Sequence, residues 1–225
     1  MDSTSSGAAP GTAPPPTPPP GRRRGRPAGT KGVPRAEREE QILAAAMEEF
    51  GRHGHASASM AAIARRVGVT KPMLYAYFDS KDGLYLACLE HIAARVIAAI
   101  DAAMAAGPAA DDERLPHAVL TGLFTALEER RHAWFVLYDR SLPPGSELRL
   151  AAQRHREAVD GLAATGTAAL LSGLGNDDPL DADALKHVWT GTVSALMGWW
   201  IAHPDQSARD MSTRCARLLR AVRGG

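Results

Sequence analysis

The chain has 225 residues, 45% of them apolar but only 5% aromatic, and a formal net charge of +1. That length bounds it to one or two domains with a proper core. Abundant Ala and the lack of alternating Val/Ile/Thr runs exclude a sheet protein and favour an all-α fold. The small net charge hides an asymmetry: residues 1–36 hold Arg22, Arg23, Arg24, Arg26, Lys31 and Arg35 against Asp2 alone, so the body is acidic and the basic arm is placed to meet a polyanion.

Residues 1–20 include seven prolines among Gly, Ser, Thr and Ala, a composition that cannot build a packed core, and disorder is expected there. Arg24-Gly25-Arg26-Pro27 follows; Gly permits close backbone approach, and flanking arginines suit a narrow groove of concentrated negative potential. A plain phosphate-binding tail is the alternative for this segment. A helix is predicted over about 36–52, with Ile42, Leu43, Ala46, Met47 and Phe50 as its apolar stripe and Gly54 as its end. Glu37, Glu39, Glu40, Glu48 and Glu49 form its expected solvated face. Met60, Ile63, Ala64 and Val67 recur at i, i+3, i+4 and i+7, so a second short helix follows, capped by Ser59 and closed by Gly68. Thr70 caps a third, Pro72 falls in its first turn, and Leu74 and Phe78 face inward. Asp79 or Ser80 caps a fourth, with Lys81 in its first turn, running through Leu84, Leu89, Ile92 and Val96 to the Gly107-Pro108 break.

Further helices are predicted over about 112–131, over a short aromatic stretch at 132–142, and over 146–171, 181–202 and 206–222, with breaks at Pro143-Pro144-Gly145, at 173–179 and at His203-Pro204-Asp205. The longest nearly apolar stretch, 188–202, is short of the roughly 20 residues that span a bilayer, and the N-terminus lacks the apolar core of a secretory leader. No membrane partner and a cytoplasmic location are therefore expected. Cys88 and Cys215 lie inside helical patterns and are expected as buried thiols rather than a disulfide.

Two short helices joined by a tight turn, the second anchored on one side and polar-aromatic on the other, are what a major groove accepts. The run 38–84 resembles the N-terminal domain of TetR-type bacterial transcriptional regulators. Its landmarks are Ile42, Ala45, Phe50, Gly54, Ser59, Ile63-Ala64, Gly68-Val69-Thr70, Leu74-Tyr75, Tyr77-Phe78 and Ser80-Lys81, in order and without insertion. The Arg24–Pro27 core resembles the centre of AT-hook peptides. The TetR resemblance implies a three-helix helix-turn-helix domain over 36–85 after an arm over 1–35, then a helical ligand-binding and dimerisation domain over 86–225. It implies a ligand-responsive regulator, a repressor released by an unknown small-molecule effector, that binds a pseudo-palindromic double-stranded DNA operator. The homodimer would form through helices 181–202 and 206–222. Lys71 and Tyr75 would reach base edges or nearby phosphates, with Met73 against a thymine methyl and Pro72 beside them. Ser59, Thr70, Tyr77 and Lys81 would hold phosphates, and Arg24 and Arg26 would extend the interface. Between Glu37 and Tyr85 six basic residues face seven acidic ones, so specific contacts must supply much of the binding.

Aromatics and polar tips amid the second domain make Phe124, Trp134, Phe135, Tyr138, His155, Trp189 and Met197 candidate pocket residues, an apolar cavity between these helices being the expectation for the region, since any one such side chain at helical spacing is more often plain core. No Gly-rich phosphate loop, G-x-S-x-G turn or H-E-x-x-H pair occurs, His53 and His55 lack a third ligand, and Glu157 and Asp160 do not stack with His155 on a helix face. No enzyme, cofactor or metal site is expected. The alternative function is an architectural or broadly acting DNA binder led by the basic arm.

Overall fold

The computed structural model describes residues 33–105 and 114–223. The basic arm with Arg24 and Arg26, and the Gly107-Pro108 break, lie outside the described residues. Helix α1 (Arg35–Ser57) buries Ile42, Ala46, Met47 and Phe50 completely, as its stripe requires. It breaks at Gly54, whose φ of 69° and ψ of 166° no helix tolerates, and resumes for one turn. Helix α2 (Met60–Val67) starts under the Ser59 hydroxyl, which accepts from the Ala62 N–H at 3.3 Å, and ends at Gly68 in the left-handed region. Helix α3 (Lys71–Phe78) is capped by Thr70, which accepts from the Met73 N–H at 3.4 Å. Its Leu74 and Phe78 are buried. The chain then reverses over Asp79 (φ 58°, ψ −42°), where the Ser80 N–H donates to the Phe78 carbonyl at 2.6 Å. That is a tight γ-turn of the strained hand. Ser80, rather than Asp79, caps the next helix by accepting from the Gly83 N–H at 2.9 Å.

Helix α4 (Lys81–Ala105) is long and apolar enough to pass for a bilayer span. Its Leu84, Leu89, Ile92 and Val96 are instead fully buried, as the central helix of a bundle demands. Helices α5 (Arg114–Leu127) and α7 (Glu147–Gly173) pack against α4. Helices α8 (Pro179–Ala202) and α9 (Ala208–Arg223) then pack on α7 and α5 respectively. Between α5 and α7 lies the four-residue α6 (Trp134–Leu137). Caps at Ser146, Asp178 and Ser207 start the last three long helices, Asp210 returning a bond to the Ser207 N–H at 2.9 Å. Cys88 and Cys215 are buried free thiols.

Two expectations are corrected. The helix expected to reach residue 131 ends at Leu127 and tightens into a 3₁₀ turn, Glu128–Ala133, broken at Arg130 (φ −141°, ψ 43°). The break carries the Arg130 guanidinium to the Glu40 carboxylate and to His91 Nε2 at 2.8 Å, contacts that a continued helix would not supply. The acidic face of α1 is not a uniformly solvated one either. Glu49 is buried and accepts from the Ser59 N–H at 3.0 Å, fastening α1 to the start of α2. Glu48 is half-buried between Arg52 and His132 Nδ1, the latter at 3.0 Å.

The His132 hydrogen bond, helped by Arg52, outweighs burial and holds the Glu48 carboxyl down to about 2 from its ordinary 4.5. A depressed folded-state pKa stabilises fully above the ordinary value and is lost as pH falls through the depressed one. Thermal melts should therefore lose stability between about pH 4.5 and pH 2. Glu48→Gln should flatten that limb by on the order of 1–2 kcal/mol, the discounted worth of a partly exposed pair. An acid limb as steep as before would remove Glu48 from it.

Candidate functional site

Helix α3 is held to the body by Leu74 and Phe78 and presents the rest outward. Lys71, Pro72, Tyr75 and Ala76 are exposed, Tyr75 at 38% for so large a ring. Met73 and Tyr77 are half-buried, and the Arg35 guanidinium lies 5.0 Å over the Tyr77 ring. Ser59 and Thr70 are exposed at the two helix starts that flank the turn. Arg65 and Arg66 at the end of α2 are also exposed, and sequence reasoning had passed them over. The near-neutral balance of this region is spatially sorted: Glu40, Glu48 and Glu49 are engaged with Arg130, with Arg52 and His132, and with Ser59. Lys71, Arg65 and Arg66 are thus left on the outer face. Lys81 is half-buried, and its ammonium donates to the Ala56 carbonyl at 3.3 Å.

A second site lies in the helices beyond. An apolar cavity of about 100 Å³, with a mouth open to solvent, lies between α4, α5, α6, α7 and α8. Of the sequence-stated candidates, Trp134, Tyr138 and Trp189 line it and the other four do not. Phe124 is one position past Leu123, so helical rotation carries it off the wall and edge-on to Trp200 at 5.1 Å. Phe135 turns away for the same reason, since Trp134 and Tyr138, four apart, share the cavity side. His155 and Met197 lie one turn beyond lining residues Val159 and Val193. The contribution that sequence reasoning missed is the α7 wall, Val159, Leu162, Ala163, Gly166, Thr167 and Leu170. Its i, i+3, i+4, i+7 spacing was legible, but small and mixed side chains made it a weak stripe.

The two sites meet through one loop. Tyr138 closes α6 on the cavity side, and the next residue, Asp139, faces the helix-turn-helix unit. Asp139 Oδ2 accepts from the His55 N–H at 2.6 Å, while Oδ1 accepts from the Ser141 N–H at 2.7 Å. Ser141 Oγ accepts from the Ala56 N–H at 3.4 Å. Tyr85, buried near the start of α4, donates to the Val136 carbonyl at 2.7 Å and packs edge-on against His55 and Phe50. The break in α1, the start of α4 and the end of α6 are therefore stitched together around Asp139.

A capped helix pair with an outward polar-aromatic helix, joined to a helical body with a lined chamber, defines a helix-turn-helix DNA-binding regulator. Residues 42–88 match the family model of bacterial regulatory proteins of the tetR family. The chain is 28% identical over 200 residues to the HTH-type transcriptional activator FasR of Mycolicibacterium smegmatis, covering 77% of this chain and 89% of that one. Over 86 residues, 38% of this chain and 42% of the other, it is 36% identical to the HTH-type transcriptional regulator BetI of Ectopseudomonas mendocina. A TetR-like transcriptional regulator from Rhodococcus sp. RHA1 superposes with a TM-score of 0.61 at 26% identity, over 86% of this chain and all of that one. FadR from Bacillus subtilis, solved in complex with stearoyl-CoA, shares the fold at 16% identity and a TM-score of 0.61, over 80% of this chain and 95% of its own. Residues 42–88 thus belong to the tetR family of bacterial regulatory proteins, and the relatives that match most of the chain are transcriptional regulators.

Proposed function

We propose that this regulator works as a homodimer, acts as a repressor on a pseudo-palindromic operator, and is released when a lipophilic effector fills the chamber between α4 and α8. The observation that carries the reading is the Tyr138–Asp139 pair, one residue on the cavity wall and the next bonded to the unit that bears α3. A ligand that favours one position of that loop over another shifts the spacing of the two α3 helices, which is all that release requires. The bound stearoyl-CoA of the FadR complex supports an apolar occupant for a body of this fold. For the dimer, the support is α8 and α9. Val188, Leu218 and Val222 are 63%, 48% and 86% exposed, and Gly191, Thr192 and Ala195 continue the outward α8 face in small side chains. Two copies packed on that face would bury what one copy leaves in water.

On the DNA, Lys71 and Tyr75 reach base edges or adjacent phosphates, Met73 meets a thymine methyl and Pro72 sets the approach. Ser59, Thr70, Tyr77 and Lys81 hold phosphates, Lys81 by leaving the Ala56 carbonyl, and Arg24 and Arg26 of the arm add contacts in the adjacent groove. The soluble, cytoplasmic setting follows from this role. Operator selection from genomic fragments at about 0.15 M salt, followed by footprinting, should yield a protected pseudo-palindrome. Tyr75→Ala should weaken binding to that site by roughly 10-fold or more and leave random-sequence binding within about 3-fold. Equal losses on both DNAs would remove Tyr75 from the base-reading set.

A further inference from the structure

The chamber is not apolar throughout: its α6 end carries an unusual polar set. Trp134 is 2% exposed and Tyr138 half-buried, and both line the cavity. Their rings lie 4.9 Å apart at 31°. The indole Nε1–H and the phenol Oη are both fully buried, and neither finds a hydrogen-bond partner among the described residues. A buried donor without an acceptor costs roughly 1–3 kcal/mol, so two on residues of one cavity wall point to an acceptor that arrives with a ligand and parts the wall enough to reach them. Indole N–H can only donate, which fixes the polarity of what it awaits.

Asp160 is the one charged residue among the described lining residues, and no lysine or arginine joins it there. Burial first, and then the charge of nearby Asp160, push the Tyr138 phenol up to about 12 against the opposing charge of Arg156. Arg156, one turn earlier on α7, is committed to the Leu137 carbonyl at 3.0 Å. An incoming carboxylate or phosphate would thus meet the Asp160 charge on the wall itself, with the Arg156 charge offsetting it only from outside the lining, while an uncharged oxygen would meet no such repulsion.

On the reading that this chamber is the effector site, we infer that it selects a lipophilic molecule whose buried end is an uncharged acceptor oxygen, such as a ketone, ester or hydroxyl, taken by Trp134 Nε1–H and Tyr138 Oη–H. Asp160 acts there as a specificity-determining residue that turns anions away.

The test is calorimetric titration of the full chain with three probes of equal chain length: 2-decanone, decanoate and decylammonium, below their aggregation limits. The ketone should bind at least about 10-fold more tightly than either ion, a difference of roughly 1.4 kcal/mol. Trp134→Phe and Tyr138→Phe should each weaken the ketone by about 3- to 10-fold without shifting the melting curve downward. Asp160→Asn should bring decanoate up by about 10-fold and leave the ketone unchanged. Tightest binding of decylammonium would overturn the inference in favour of a cation site made by Asp160 and the aromatic faces. Equal binding of all three, indifferent to the variants, would also overturn it while leaving an apolar effector chamber in place. Binding by none of them would remove the chamber reading as well.

Discussion

Asp139→Ala should leave ligand binding in the chamber intact and break its effect on DNA. The side chain spends one oxygen on the His55 N–H and the other on its own loop at Ser141, so it is the clasp between the α6 end and the α1 break. Losing it strands a part-buried backbone donor, at a cost of roughly 1–3 kcal/mol in stability. The more telling readout is the ratio of operator affinities with and without a saturating chamber ligand. Coupling of this kind is typically worth about 1–3 kcal/mol, and the variant should lose most of it. By reciprocity, operator DNA should also cease to weaken the ligand in calorimetry. An undiminished ratio would mean that the message travels elsewhere, along α4 alone.

Gly51→Ala should be a severely damaging small substitution in α1. A Cβ at that position would sit 2.0 Å from the His132 carbonyl oxygen and 2.5 Å from its carbon, both backbone atoms that no rotamer change can move aside. Helix α1 rests directly on the 3₁₀ turn there, and the added methyl must push the two apart, opening contacts around Phe50 and Ala133. A loss of about 2–4 kcal/mol is expected, against the usual gain from Gly→Ala inside a helix. Gly161→Ala is the matched control. It also lies within a helix, has nothing within 4 Å, and should stabilise by about 0.5–1 kcal/mol. Equal melting temperatures for the two variants would show that α1 and the turn separate freely.

What was legible beforehand divides along the range of the interactions involved. The starts of α2 and α3, their caps at Ser59 and Thr70 and the Gly68 turn are written in residues three or four apart, and each sits where local chemistry put it. The end of α5 is different. Nothing near Arg130 in sequence marks a break, because the groups that draw it out of line, Glu40 and His91, lie 90 and 39 residues away. The same holds for the acidic face of α1: Glu49 looks solvated until Ser59 is seen folded back over it. The chamber shows both cases together. Trp134, Tyr138 and Trp189 stand out as large aromatics, whereas the α7 wall is built from Ala163, Gly166 and Thr167, whose importance comes from what they do not fill.

The seating of α1 has a bearing on how such a protein can be rebuilt. The first helix shares its core with α2 and α3, yet Glu40, Glu48 and Gly51 on its flank are matched to Arg130 and His132, far along the chain. A fragment cut after residue 85 would lose those partners and expose the surface that Gly51 keeps flat. The reading head is therefore not a portable cassette. A chimera that grafts it onto another sensor body must carry the 3₁₀ turn as its socket, or redesign the flank of α1 to stand in water.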